Sequence, residues 1–237
     1  MAAAGIVLAG GKGTRMQSEI PKQYMLLAGK PLLYYSLRAF EESKVESVVL
    51  VTAEGEEDYC RTELVERYGF TKVTAVTAGG AERYESVFHG LQAAGTPEYV
   101  LIHDGARPLV TAELINRLLG QTESYGACVA GMPVKDTIQM TDENGVITLT
   151  PKRESLWIAQ TPQAFEFSLV YHAYERLMEE PEIDVTDDAM VVGLYGDTPV
   201  QMVRGSYTNL KVTTPEDMAF AEALLKKRQS REPEKGK

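Results

Sequence analysis

The chain has 237 residues, of which 44% are hydrophobic, and its 34 acidic side chains outnumber its 24 lysines and arginines. The resulting net charge of −10 excludes an extended nucleic-acid or anionic-membrane surface as the main partner, because such surfaces are bound by a net basic face. No apolar stretch approaches the ~20 residues of a membrane-spanning helix, and no signal-peptide pattern precedes the first strand. We expect a cytoplasmic protein with one domain over residues 1–230 and a disordered tail over residues 231–237.

Short β-branched segments alternate with helical patterns, which is typical of β-α-β units around a mainly parallel sheet. Strands are predicted at Gly5–Leu8, Ser47–Thr52, Lys72–Thr77, Tyr99–His103, Ala127–Pro133 and Val200–Arg204. Helices are predicted at Leu32–Glu42, Glu56–Tyr68, Glu85–Ala94, Ala112–Tyr125, Ser168–Glu179, Asp187–Leu194 and Pro215–Arg228. Thr214 and Asp217 form a capping-box pattern at the start of the last helix. Cys60 and Cys128 have no metal-ligand spacing and are predicted to be packing residues.

The segment after the first predicted strand combines glycines with cations. Gly10, Gly11 and Gly13 let the backbone bring its N–H groups close to an anion, and Arg15 and Lys22 add full positive charges. The pattern is not a Walker A loop, which needs Ser or Thr after its Gly-Lys pair, nor the dinucleotide fingerprint, whose third glycine is missing here. The two cations favour a phosphate-binding site over an ordinary glycine-rich turn between a strand and a helix.

A carboxylate follows the fourth predicted strand. Because the ligand crevice of an open parallel sheet lies at the carboxyl ends of its strands, Asp104 is predicted to face a crevice rich in cations. Mg²⁺ usually takes one or two protein carboxylates and completes its shell with water and phosphate oxygens, so Asp104 is predicted to be a magnesium ligand. The alternative is a simple ion pair with Arg107 across a tight turn. His103 points to the opposite side and is predicted to be structural.

Two more loops converge on the same edge. Gly79-Gly80, followed by Arg83 and Ser86, is suited to read the polar edge of a base, although such turns are common and Arg83 is equally consistent with a cation on a helix face. The last predicted strand leads to Lys211. No Ser/His/Asp or Cys/His arrangement indicates a covalent nucleophile.

The helical pattern stops between residues 136 and 163. Glu143-Asn144-Gly145 separates two alternating segments, Thr137–Thr141 and Val146–Thr150, as in a β-hairpin. A two-stranded ribbon is marginal alone in water, so it needs a surface to pack on, and a second copy of the chain would provide one. The sequence therefore predicts a β-arm over residues 136–163 and a homodimer.

Taken together and in this order, the motifs resemble the cytidylyltransferases that act on 2-C-methyl-D-erythritol 4-phosphate in the non-mevalonate pathway of isoprenoid biosynthesis. The resemblance covers nearly the whole chain and is carried by LAGGKGTRM, PKQY, GGAERYESV, HDGARP, PVKDT, RESLWIAQTPQAF, VTDDA and NLKVTTPED. Two positions depart from it: Thr208 stands where several relatives have Asp, and Ala81 stands where the family often has Asp. A second carboxylate for the metal is therefore not assigned.

The resemblance implies a Rossmann-like nucleotidyltransferase fold, with a mainly parallel sheet, helices on both faces and a protruding β-arm exchanged in a homodimer. It also implies the reaction of CTP with the sugar phosphate to give 4-diphosphocytidyl-2-C-methyl-D-erythritol and pyrophosphate, without a covalent intermediate. No general base is needed, because the attacking phosphate is already anionic.

The resemblance further implies site residues. The triphosphate would bind at Ala9, Gly10, Gly11 and Gly13, and cytosine at Gly80, Ala81 and Ser86, with Gly105 and Arg107 completing the nucleotide and phosphate surroundings. Arg15 and Lys22 would stabilise charge at the α-phosphate, and Asp104 would hold Mg²⁺. Thr137 and Arg153 on the arm would reach the sugar phosphate bound mainly by the neighbouring subunit, with Thr161 and Lys211 beside it. The residues that the resemblance implies to be catalytic are Arg15, Lys22, Arg153 and Lys211.

Two alternatives remain open at this stage. A ribitol-5-phosphate cytidylyltransferase is similar across the glycine loop and the HDGARP turn, although the segment from Arg153 to Trp157, leading into Gln160–Gln163, favours methylerythritol phosphate. The other alternative is a nucleotide-binding or regulatory protein without catalysis, and the presence of Arg15, Lys22, Asp104 and Lys211 argues against it.

Overall fold

The strands form one large sheet and two small ones. The computed structural model describes residues 2–11, 16, 20–179 and 184–230. The strands are β1 (Ala3–Leu8), β2 (Leu26–Leu27), β3 (Lys30–Pro31), β4 (Ser47–Thr52), β5 (Val73–Ala78), β6 (Tyr99–Asp104), β7 (Ala127–Pro133), β8 (Met140–Thr141), β9 (Ile147–Leu149), β10 (Trp157–Glu166) and β11 (Gln201–Arg204). Within this part of the chain the central sheet has seven strands in the order β11-β7-β10-β6-β1-β4-β5.

The helices agree with the predicted ones to within two residues at each end, with one interruption. They are α1 (Leu32–Glu41), α2 (Glu57–Cys60), α3 (Arg83–Ala93), α4 (Ala112–Tyr125), α5 (Phe167–Glu179), α6 (Asp188–Tyr195) and α7 (Pro215–Gln229). The helix predicted at Glu56–Tyr68 changes after α2 to a π-helical segment, Arg61–Glu66. The predicted capping box at α7 is confirmed, because the side chains of Thr214 and Asp217 each accept from the other's backbone N–H.

The central sheet is mostly parallel, as predicted. β1 pairs in parallel with β4 and β6, β4 with β5, and β7 with β11. Alternate residues of β1 face two different cores: Val7 packs with Leu37 of α1 and Leu118 of α4, whereas Ile6 packs with Leu91 of α3 and with α5. Helices therefore cover both faces, and each fully buried Leu or Ile contributes roughly 1.5–3 kcal/mol.

The predicted extent of the arm is wrong at its C-terminal end. Residues 157–163, assigned to the arm over 136–163, belong to β10, which lies antiparallel between β6 and β7 inside the central sheet. Sequence patterning missed this strand because its buried part carries the polar side chains Gln160, Thr161 and Gln163. Strands are recognised in a sequence by alternating apolar and polar residues, and β10 lacks this alternation.

The predicted hairpin is confirmed. β8 and β9 pair antiparallel, and Gly145 between them has a φ of +79°, a conformation that glycine adopts without strain. The carboxylate of Asp142 accepts from the N–H groups of Asn144 and Val146 and so closes the turn.

Three further sequence-based expectations concern the cysteines, the membrane and the tail. Cys60 and Cys128 are both free and buried, as expected of packing residues. None of the helices that the structure describes has the length and apolar character needed to cross a membrane. The tail predicted over residues 231–237 lies outside the described residues.

Candidate functional site

A cavity of about 310 Å³ opens at the carboxyl edge of the central sheet. It is bounded by the segments that follow β1, β5, β6 and β11, together with the turn that contains Lys22. Predicted site residues that line it are Ala9, Gly10, Gly11, Lys22, Gly80, Ala81, Ser86, Asp104 and Lys211. The predicted convergence of these loops is therefore confirmed for the residues that the structure describes, whereas Gly13 and Arg15 lie outside them.

The loop after β1 lies against the end of β4. The N–H of Ala9 donates to the carbonyl of Val51 at 2.7 Å. A Cβ on Gly10 would lie 3.0 Å from the carbonyl oxygen of Thr52, whereas one on Gly11 would meet nothing within 4 Å. Gly10 thus allows the close approach of two backbones, and Gly11 leaves the backbone open on the cavity side.

The loop between β5 and α3 is held by its own polar groups. Ser86 Oγ accepts from the N–H of Gly80 at 3.1 Å and donates to the carbonyl of Glu82 at 3.1 Å. Glu82 and Glu85 form a capping box that begins α3. The N-terminus of this helix and the preceding backbone therefore present an ordered set of N–H and C=O groups to the cavity.

Three cations surround the carboxylate of Asp104. Lys211 Nζ lies 2.8 Å from its Oδ2, Arg83 Nε 3.4 Å from its Oδ1, and Arg107 Nε 3.9 Å from its Oδ2. Burial opposes the charge of this carboxylate, but Arg83 and Lys211 outweigh burial and hold the pKa of Asp104 well below its usual range. The pair with Arg107, the alternative raised from sequence, is the longest of the three contacts.

Arg83 is fixed by a carboxylate to which the sequence analysis assigned no role. Its Nη1 and Nη2 donate to the two carboxylate oxygens of Asp188 at 2.8 and 2.9 Å, and Asp188 is fully buried. Tyr174 donates to the same carboxylate at 2.6 Å. Burial alone would lower the pKa of Arg83, but the paired Asp188 raises it well above its ordinary value. The feature of the sequence that could have indicated this role is an acidic residue, Asp188, at the start of the otherwise mostly apolar α6.

The buried imidazole of His103 lies behind Asp104, and its hydrogen bonds suit the neutral form of the ring. Thr161 Oγ1 accepts from the N–H of Asp104 at 3.0 Å and lies 3.0 Å from Nδ1 of His103. Because His103 Nε2 faces the carbonyl of Arg107, Nε2 donates there, and Nδ1 of the neutral ring accepts the hydroxyl proton of Thr161. Burial lowers the pKa of His103 to about 4, so it is neutral at pH 7. These contacts agree with the predicted structural role of His103. The hydroxyl of Thr161 makes both of these hydrogen bonds within the protein, and its contact with a substrate stays a prediction.

Gly105 and Arg107 support the cavity floor and are not among the described residues that line it. The N–H of Gly105 donates to the carbonyl of Leu8, and a Cβ at Gly105 would lie 2.8 Å from that oxygen. Burial lowers the pKa of Arg107, whose Nη1 donates to the carbonyl of Asn209 at 2.9 Å. Their predicted contacts with the nucleotide and the phosphate remain predictions.

β10 holds the loop that carries Lys211. Gln160 Nε2 donates to the carbonyl of Ser206 at 2.8 Å, and Asn209 Nδ2 donates to the carbonyl of Thr161 at 2.8 Å. The loop between β11 and Lys211 is thus attached at both of these points to a strand of the central sheet.

The carboxylate of Asp104 could serve as one ligand of a metal ion whose other ligands are water and substrate oxygens. Among the described residues, no group of three or more His, Cys, Asp or Glu side chains could hold an ion. One carboxylate at the cavity floor matches Mg²⁺, which keeps water and substrate phosphates as its remaining ligands. The hydroxyl oxygens of Thr208 and Ser206 lie 2.8 Å apart and form a hydrogen bond with each other.

The two predicted arm residues stand apart from the cavity of their own chain. Thr137 and Arg153 are exposed, and neither is among the described lining residues. Arg153 Nη1 donates to the carbonyl of Lys135 at the base of the arm, at 3.2 Å.

An α/β sheet with a glycine loop and lysines at its carboxyl edge is typical of proteins that bind nucleotide phosphates. Comparison with known proteins narrows the class. Residues 3–227 match the family model described as 2-C-methyl-D-erythritol 4-phosphate cytidylyltransferase, and the chain belongs to that family.

Individual relatives agree. The chain is 47% identical over 224 residues to the 2-C-methyl-D-erythritol 4-phosphate cytidylyltransferase of Lachnoclostridium phytofermentans, covering 94% of this chain and 96% of the relative. It is 50% identical over 223 residues to that of Lachnospira eligens, covering 93% and 98%. The crystal structure of 4-diphosphocytidyl-2C-methyl-D-erythritol synthase from Anaerococcus prevotii matches with a TM-score of 0.83 at 31% identity, covering 95% and 96% of the two chains.

Proposed function

We propose that this protein transfers the cytidylyl group of CTP to 2-C-methyl-D-erythritol 4-phosphate, giving 4-diphosphocytidyl-2-C-methyl-D-erythritol and pyrophosphate for isoprenoid biosynthesis. Membership of the family supports the substrates. The observation that carries the proposal is the cavity itself, which gathers the glycine loop, Lys22 and Lys211 at one edge of the sheet in an acidic chain.

The chemistry follows from the charges of the reactants. An oxygen of the sugar phosphate bonds to the α-phosphorus of CTP, the bond from that phosphorus to the bridging oxygen breaks, and pyrophosphate leaves with the electron pair. The attacking oxygen already carries negative charge, so no base has to remove a proton. The protein has to align the reactants and offset the negative charge of two phosphate groups that approach each other.

The described cations are suited to this task. Lys22 and Lys211 line the cavity together with Gly10 and Gly11, and the backbone of this glycine loop is proposed to supply N–H donors to the phosphates. Arg15, outside the described residues, is proposed for the same role as Lys22. The nucleotide is proposed to contact Ala9, Gly10, Gly11, Gly13, Gly80, Ala81, Ser86 and Gly105, and the sugar phosphate to contact Arg107, Thr137, Arg153, Thr161 and Lys211.

A divalent ion is part of the proposal. Asp104 would hold Mg²⁺ together with phosphate oxygens and water, and the ion would supply positive charge to the phosphates when bound. Because Asp104 Oδ2 is paired with Lys211, we propose that Lys211 changes partner from this carboxylate to a substrate phosphate.

A homodimer is proposed from the arm. Its apolar side chains are exposed in the single chain, and they are Ile138, Met140, Val146, Ile147 and Leu149. Apolar side chains concentrated on a ribbon that has little else to pack on indicate a partner surface, and an arm that crosses to a second subunit would bring Arg153 to that subunit's cavity. A cytoplasmic location is included in the proposal because the reaction consumes CTP.

The test is release of pyrophosphate by the purified full chain with CTP, Mg²⁺ and 2-C-methyl-D-erythritol 4-phosphate. We expect turnover with this sugar phosphate, at least tenfold slower turnover when ribitol 5-phosphate replaces it, and loss of turnover with EDTA. Faster turnover with ribitol 5-phosphate would reassign the substrate. Binding of CTP without pyrophosphate release from either sugar phosphate would contradict catalysis.

A further inference from the structure

The carboxylate of Asp188 lies at the centre of a buried polar cluster beside the cavity. It receives three hydrogen bonds, two from Arg83 at 2.8 and 2.9 Å and one from Tyr174 at 2.6 Å, and it is 0% exposed. Hydrogen bonds to a buried ionised carboxylate are short and strong, and they hold a planar guanidinium in one orientation. Asp188 therefore restricts the direction in which Arg83 can point.

The helix that carries Asp188 is itself fixed to the sheet. Gln163 of β10 donates to the carboxylate of Asp187 at 3.0 Å and accepts from the N–H of Ala189 at 2.8 Å. Asp187 also caps α6 by accepting from the N–H of Met190 at 2.9 Å. The first turn of α6 is thus held on both sides of Asp188, which makes Asp188 a rigid support for Arg83.

Two of the cations at Asp104 differ in how firmly they are held. The side chain of Lys211 is 41% exposed and reaches Asp104 through a flexible four-carbon stem. Arg83 is 31% exposed, and its guanidinium contacts Asp104 through Nε while both of its η nitrogens bond Asp188. Lys211 can leave Asp104 by rotating side-chain bonds, whereas Arg83 would have to break a bidentate ion pair.

We propose that Asp188 is a positioning residue that holds Arg83 as the permanent counter-ion of Asp104, which allows Lys211 to leave Asp104 and engage a substrate phosphate. The inference rests on the proposed function, because it concerns the change of partner by Lys211. Without a fixed Arg83, the negative charge of Asp104 is compensated mainly by Lys211, because Arg107 is farther away at 3.9 Å, and Lys211 leaves Asp104 less readily. Loss of Asp188 therefore slows turnover more than it weakens substrate binding.

A double-mutant cycle tests this coupling. Asp188→Asn is expected to lower kcat about tenfold and to change KM for CTP less than threefold. In an Asp104→Asn background the carboxylate that Arg83 compensates is gone, so Asp188→Asn is expected to lower kcat less than twofold further. An equal loss in both backgrounds would show that Asp188 acts only through the general packing of the fold, and would overturn the proposal.

A second readout does not depend on turnover. The reactivity of Lys211 with a limiting amine-acetylating reagent, followed by mass spectrometry, reports whether its ammonium is retained by Asp104. We expect about threefold slower acetylation of Lys211 in Asp188→Asn and an unchanged rate at Lys226, which pairs with Glu222 on the exposed face of α7. An unchanged Lys211 rate would contradict the proposal, whereas an inactive wild-type protein would contradict only the proposed function.

A milder variant covers the case in which Asp188→Asn does not fold. Tyr174→Phe removes one hydrogen bond to Asp188 and keeps the aromatic ring. It is expected to lower kcat and the acetylation rate of Lys211 by about twofold. Tyr171→Phe on the same helix, whose ring packs on Phe88, is the matched control and is expected to change neither. If the two Tyr→Phe variants behave alike, the proposal fails.

Discussion

Lys211 Nζ lies 2.8 Å from Oδ2 of Asp104, so a cation proposed for phosphate binding is paired with a carboxylate of the same cavity. The pair holds Lys211 at the cavity. It also means that phosphate must compete with Asp104 for the ammonium. A doubly charged phosphate is the stronger competitor at short range, because the Coulomb energy scales with the product of the charges.

Removal of this ammonium is therefore expected to reduce catalysis strongly. Lys211→Ala should lower kcat/KM by roughly 10²–10³-fold, on the scale of losing one preorganised donor to a transition-state charge. Steady-state pyrophosphate release measures the effect. The control is Lys44→Ala, since Lys44 is exposed near Asn116, away from the cavity lining. Near-normal turnover of Lys211→Ala would contradict its role.

Lys22 is expected to act mainly in the transition state. Lys22→Ala should lower kcat by roughly 10²-fold or more, because positive charge near the α-phosphate is needed most when the new bond forms. The measurement is kcat at saturating CTP and sugar phosphate. Lys30→Ala provides the comparison, since Lys30 lies 4.0 Å over the ring of Tyr34 and should be removable without loss of turnover. A Lys22→Ala variant with near-normal kcat would argue against the role.

Arg153 is expected to bind the sugar phosphate rather than to promote the chemical step. Arg153→Ala should raise KM for the sugar phosphate by about tenfold or more while KM for CTP changes little. The neighbouring exposed cation is the control, so Lys152→Ala should leave both constants unchanged. An unchanged KM in Arg153→Ala would remove Arg153 from the substrate site.

If Arg153 serves the second subunit, Arg153→Ala and Lys22→Ala should complement each other when the sugar phosphate is kept well below the KM of Arg153→Ala. Mixing refolded Arg153→Ala and Lys22→Ala chains in equal amounts leaves one intact site in each mixed dimer, or roughly a quarter of wild-type activity overall. The assay is turnover of the mixture against the separate variants. Activity no higher than the average of the two variants would show that Arg153 acts in its own chain, or that no dimer forms.

Asp217 should make stability depend on pH. Burial is the largest single influence and raises the pKa of Asp217, but the hydrogen bonds from Thr213 and Thr214 together outweigh burial and lower the pKa below 3.8. Its stabilising contribution is thus present above pH 3.8 and is lost as pH falls through the lower folded pKa. Asp217→Asn should reduce the free energy of unfolding by about 1 kcal/mol at pH 7, and the difference from wild type should shrink below pH 4.

Urea unfolding at a series of pH values checks this prediction. Glu216→Gln is the control, because Glu216 is exposed in the same first turn of α7. A difference between wild type and Asp217→Asn that stays constant down to pH 2 would show that the charge of Asp217 does not matter.

Local features of this protein could be predicted from neighbouring residues. The strand Ile6-Val7-Leu8, the hairpin around Gly145 and the capping box of Thr214 and Asp217 depend on interactions within a few residues, and each is present in the structure. The convergence of loops on one cavity could also be predicted, because the carboxyl ends of parallel strands lie at a common edge.

The amino-acid sequence by itself determined the α/β class, most of the strands and helices, and most of the predicted residues that line the cavity, since these follow from periodicity and loop chemistry. Only the tertiary structure decided the place of β10 within the sheet, the neutral His103 behind Asp104, and the pair of Arg83 with Asp188. The last two residues are 105 positions apart, and the partner of a buried charge depends on which distant segments pack together. The local sequence pattern does not predict such a contact, because the free energy of a buried ion pair depends on the exclusion of water by segments that are distant in sequence.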